Sequence, residues 1–105
     1  MPTNTTRLFL TLKKEPFDVM ITGEKTEEFR VISQWITSRL INKDGTPRTY
    51  EYVEFANGYS KTARRFRVKY EGFEKVASVN KKYSNGLTVK HDKEVFAIKL
   101  GEILS

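Results

Sequence analysis

The chain has no cysteine and one histidine. The first absence excludes disulfides, thiolate zinc sites and cysteine nucleophiles together. His91 stands alone in a polar segment, so it is expected to be a solvated loop residue. No calcium-type acidic loop, Walker-type phosphate loop or dinucleotide fingerprint is present. Neither a metal nor a cofactor is therefore expected. The longest apolar runs fall far short of the roughly 18 residues that a membrane helix needs, so no membrane partner is expected. Met1 to Thr6 are polar and lack an apolar signal region, which points to a cytoplasmic protein. Repeats, low-complexity tracts and linkers are lacking too. Residues 1–105 read as a single domain, expected to be a monomer.

Aromatics and positive charge are plentiful. Seven Phe, five Tyr and one Trp supply bulky core material. The net charge is +6, and the excess lies in the second half. Residues 1–52 carry eight Lys/Arg against seven Asp/Glu; residues 53–105 carry eleven against six. A basic half favours polyanionic partners, above all nucleic acid.

Periodicity supplies the elements. Residues 7–13 alternate, with Leu8, Leu10 and Leu12 on one side and Phe9, Thr11 and Lys13 on the other. Glu15-Pro16 opens a helix whose buried stripe is Phe17, Met20 and Ile21. Gly23 suits a left-handed cap after it. Residues 25–31 form a second strand. Ser33 to Leu40 form a second helix, with Ile32, Trp35, Ile36 and Leu40 along its packed side. Residues 42–48 are a polar loop.

Strands follow at 50–56, with Val53 and Phe55 on one face, and at 64–71, with Phe66, Val68 and Tyr70 inward. The latter bends at Gly72 and continues through 74–79. Residues 81–93 are a polar segment with an Asn85-Gly86 turn. The last strand runs from Val95 to Leu100. The expected fold class is α+β: a small, mostly antiparallel β-barrel of five to six strands with two short flanking helices.

Two constellations carry chemistry. In GEKTEEFR (residues 23–30), Lys25, Glu28 and Arg30 fall within six residues. A Lys–Glu pair at a cleft edge is a coupled acid and base, and Arg30 offers a planar fork for a phosphate or a base edge. The alternative is an ion-pair cluster that pins the strand. The second constellation runs from Tyr59 to Lys69. Lys61, Arg64, Arg65, Arg67 and Lys69 put five basic residues in nine, with no acid. Arg65, Arg67 and Lys69 project from one strand face at steps of about 6–7 Å, a spacing that suits successive phosphates. Tyr59 beside them is a candidate base-stacking platform. The alternative is an exposed face whose charges discourage edge pairing.

The pattern Gly-x-Lys-x-x-Glu-x-Arg, after the strand and short helix of LFLTLKKEPFDVMIT, resembles the signature of the ASCH domain family. The resemblance is strongest over residues 8–30. It continues through Val53-Glu54-Phe55 and Asn57-Gly58-Tyr59 to the closing strand at 95–101. It implies a PUA-like β-barrel and a cleft lined by Lys25, Glu28 and Arg30. It also implies binding of RNA or modified nucleotides, and in some members hydrolysis of acetylated cytidine or of RNA. The amidohydrolase-like members carry a threonine, taken as the nucleophile, where this chain has Glu28. A glutamate cannot play that role.

The expected function is an RNA- or nucleotide-binding module. Lys25, Glu28, Arg30 and Tyr59 would contact the ligand, and Lys61, Arg64, Arg65, Arg67 and Lys69 the phosphates. The alternative is a small metal-independent hydrolase of RNA or a substituted nucleoside, with Glu28 as general base and Lys25 as acid or electrostatic stabiliser. A third possibility is a protein-interaction domain that uses the stripe at 61–69.

Overall fold

Alternation in the first strand governs burial as its period demands. Leu8, Leu10 and Leu12 of β1 (Arg7–Leu12) are buried, while Arg7 and Phe9 are exposed. The computed structural model describes residues 7–104. After β1 come α1 (Lys14–Met20), β2 (Glu27–Val31) and α2 (Gln34–Leu40). Then follow β3 (Tyr52–Asn57), β4 (Arg65–Val76), β5 (Val79–Lys82), β6 (Thr88–His91) and β7 (Val95–Ile103).

Helix α1 is too short to persist alone in water. Phe17 and Met20 hold it by burying their side chains, at about 1.5–3 kcal/mol each. The chain leaves it through Gly23, whose φ of +88° is open to glycine and costly for other residues. The N–H of Gly23 donates to the Met20 carbonyl at 3.0 Å. In α2, the Ser33 hydroxyl caps the first turn by accepting from the Ile36 N–H at 3.2 Å. Ile36 and Leu40 face the core, but Trp35 does not and is 49% exposed. The expectation that Trp35 packs in the core is thus corrected. Successive helical residues diverge by about 100°. With Ile36 and Leu40 inward at i, i+4, Trp35 falls to the flank, where the Arg39 guanidinium stacks on its ring at 5.2 Å.

Five strands form one curled sheet in the order β1-β3-β4-β7-β2. All its pairings are antiparallel except β1 with β3. Its concave face holds the main core, where Phe17 meets Phe66 edge-on at 5.1 Å and Phe55 stacks on Phe66 at 5.4 Å. The α+β class and the antiparallel bias stand, but the expected closed barrel is corrected to a half-barrel. Strands β1 and β2 are its two edges and do not pair. Alternation reports which face of a strand is buried, not whether the two ends of a sheet meet.

The segment expected to be merely polar, 81–93, supplies most of a second sheet, the hairpin β5–β6. It lies on the convex face over β2 and β7. Val79 and Val89 pack there against Phe29, Val76, Val95 and Ala97. So few apolar residues leave little periodic signal. No described helix is long and apolar enough to cross a membrane.

Candidate functional site

Glu28 and Arg30 pair in register with Ile98 and Phe96 across β2–β7. Antiparallel partners share a face, so both charged residues point to the concave, core side of an edge strand. Glu28 is only 7% exposed. A carboxylate there must be paired, and each of its oxygens is. Lys25 Nζ donates to Oε1 at 3.1 Å, and Arg30 Nε donates to Oε2 at 2.7 Å. Arg30 then crosses the seam: its Nη2 donates to the Thr11 carbonyl on β1 at 2.8 Å. One guanidinium thus spans the gap between the two edges that a closed barrel would have joined with backbone hydrogen bonds.

Lys25 lies just before β2 and is 3% exposed. Its ammonium also donates to the Glu27 carbonyl and lies 5.4 and 5.8 Å from the Phe29 and Tyr83 ring centroids. Burial pulls its pKa below the usual lysine value; the charge and hydrogen bond of Glu28 offset this only in part. The expected trio therefore converges through Glu28, but only Glu28 and Arg30 line the open cleft. Lys25 stands behind them as a support.

Neighbouring charges tie the hairpin to this support. Burial opposes ionisation of Glu27. Hydrogen bonds from Lys81 and Lys99 outweigh it and hold the Glu27 pKa below the ordinary carboxylate value. At the hairpin tip, the Ser84 N–H donates to Glu24 at 2.8 Å and Asn85 donates to the Glu15 carbonyl at 3.0 Å.

The seam opens as two chambers. The larger, about 690 Å³, lies between the β1–α1 junction and β2, with Tyr59 and His91 at its sides. His91 thus ends a strand beside the cleft, rather than lying in a solvated loop as expected. The smaller, about 360 Å³, is lined by Phe9, Leu10, Thr11, Arg30, Trp35 and Tyr59. Thr11, Arg30 and Tyr59 belong to both, so the Arg30–Thr11 bridge is where the chambers meet.

On the convex face, Arg65, Arg67 and Lys69 are exposed on one side of β4, as their alternation requires. They are not bare cations. Glu54 gathers Arg7, Arg65 and Arg67 at 2.6, 3.1 and 3.9 Å. Arg7 and Arg65 both lie over the Phe9 ring, at 5.3 and 5.4 Å, and Arg67 lies over Tyr52 at 5.3 Å. Such exposed pairs add little stability, but they hold the guanidiniums in place. Arg64 leaves the stripe, meeting Asp18 at 3.4 Å and covering Phe17 at 4.9 Å. Lys61 is exposed in the β3–β4 connection, and Tyr59 there is 92% exposed.

Four contributors were not singled out from the sequence: the Thr11 carbonyl, Phe9, Arg7 and Glu54. An outward Phe in the alternation of β1 was the available signal for Phe9. The others depend on which strands become neighbours. Among the described residues, no group of three or more His, Asp or Glu is placed to hold a metal ion. No protein-family model, curated protein or solved structure matches this chain.

Proposed function

We propose that the chain is a cytoplasmic RNA- or nucleotide-binding module of the ASCH kind, a PUA-like barrel left open along one seam. The observation that carries this reading is the Glu28–Arg30 pair on the wall of an open 690 Å³ cleft. Arginine has five N–H donors. The Nε and one Nη2 donor of Arg30 are engaged, so its Nη1 side is left to meet a base or phosphate acceptor. Each Glu28 oxygen keeps a second lone pair that can accept from an exocyclic amine. The cationic face of β4, reached past Phe9, provides for phosphates.

The hydrolase reading is less favoured. Its acid or electrostatic stabiliser would be Lys25, which is 3% exposed and does not line the cleft, so it stands out of reach of a substrate there.

The test is Arg30→Lys, which keeps the charge and removes the fork. Binding of a fluorescent single-stranded RNA should weaken by about tenfold, the worth of one charge-assisted hydrogen bond. Wild-type protein that binds neither RNA nor nucleoside monophosphates, or an Arg30→Lys protein of unchanged affinity, refutes the proposal.

A further inference from the structure

The smaller chamber has a chemistry of its own. Three exposed aromatics from separate parts of the chain line it: Phe9 of β1, Trp35 of α2 and Tyr59 of the β3–β4 connection. Large apolar side chains left in water together mark a binding surface. None of the six lining residues is acidic. Arginine borders the chamber throughout: Arg30 lines it, Arg39 stacks on Trp35, and Arg7 and Arg65 stack on Phe9. Its volume of about 360 Å³ lies at the low end of small-ligand pockets, which begin near about 300 Å³.

We propose that this chamber is a base-stacking subsite for one unpaired base of a single-stranded nucleic acid, adjoining the Glu28–Arg30 cleft across the Arg30–Thr11 bridge. Trp35 and Tyr59 present π-faces to the base, and Arg7 and Arg65 take the adjoining phosphate. This rests on the reading of the chain as a nucleic-acid binder, and adds to it a strand preference and a second contact point. Aromatic faces ringed by guanidiniums are what splayed-out bases and their phosphates require. An apolar protein partner would offer no anion to these guanidiniums, whose charge Glu54 offsets only in part. A duplex is excluded because its bases are already stacked and cannot enter.

Trp35 is the sole tryptophan, so emission excited selectively in tryptophan reports on this chamber. Titration with short single-stranded oligoadenylate should quench it, and the matching duplex should not. In parallel, anisotropy of labelled oligoadenylate should show Trp35→Ala and Tyr59→Ala weakening binding roughly five- to a hundredfold each, the range for loss of one base–aromatic stack. Both side chains are substantially exposed, so both variants should fold.

Binding by anisotropy with unchanged Trp35 emission, or with wild-type affinity in both variants, overturns the subsite and leaves the broader reading intact. Equal quenching by duplex and single strand also overturns it. No binding of oligoadenylate by anisotropy overturns the subsite, and the broader reading falls with it only if nucleoside monophosphates and a mixed-sequence RNA also fail to bind.

Discussion

Lys25 and Tyr70 are two buried polar side chains treated in opposite ways. Lys25 is surrounded by acceptors and aromatic faces, and its ammonium supports Glu28. It is also the residue most easily misread from sequence, since a lysine in a charged octapeptide looks like a surface group. Tyr70 is buried on the concave face of β4, and its hydroxyl has no hydrogen-bond partner. Burial pushes its pKa up to about 12. Its ring packs edge-on against Tyr50 at 5.2 Å, a contact that phenylalanine would keep. An unpaired buried hydroxyl costs about 1–3 kcal/mol. Tyr70→Phe is therefore expected to stabilise the protein by about 1 kcal/mol, raising the melting temperature by roughly 4–8 °C. A lower melting temperature in calorimetry would mean that the hydroxyl has a partner after all.

At the scale of elements, β4 does the most to shape the sheet. Residues 65–69 pair with β3 and residues 68–76 pair with β7, with register shifts on either side of Tyr70. Phe66, Val68 and Tyr70 point inward at even spacing, yet Phe73, three residues on, also packs on the core and meets Phe96 edge-on at 5.4 Å. An irregularity must absorb the odd step, and Gly72 supplies it with φ of +96°. A Cβ there would touch nothing within 4 Å, so the cost of Gly72→Ala is confined to the backbone. The expected loss is about 1–2 kcal/mol, read from the urea midpoint. An unchanged midpoint would show that β4 does not need the left-handed residue. Here the bend at Gly72 was legible in sequence. The hairpin β5–β6 was not, because only Val79 and Val89 mark its packed side.

For the whole molecule, the net charge of +6 matters through its placement. Glu54 offsets part of the convex patch, which leaves Arg7, Arg65 and Arg67 as three cations around one carboxylate, with Lys69 exposed further along β4. If three or four phosphates meet this face, the slope of log affinity against log salt should be about −2 to −3 for a single strand. Between about 50 and 200 mM salt, the affinity should fall roughly 20- to 50-fold. Replacing Arg65 and Arg67 together by Gln should flatten that slope by roughly one unit or more. A slope near zero in the unaltered protein would remove phosphates from the account.

Strands β1–β4 and β7, both helices and the inward faces of β1, β3, β4 and β7 follow from local periodicity, because alternation and i, i+4 spacing are properties of neighbours along the chain. The proximity of Lys25, Glu28 and Arg30 is equally local. Only the tertiary structure decides that β1 and β2 remain unpaired edges, that Arg30 reaches Thr11 between them, and that Phe9, Trp35 and Tyr59 share one chamber. Those facts join residues tens of positions apart, and the order of strands in a sheet leaves no mark in the period of any one of them.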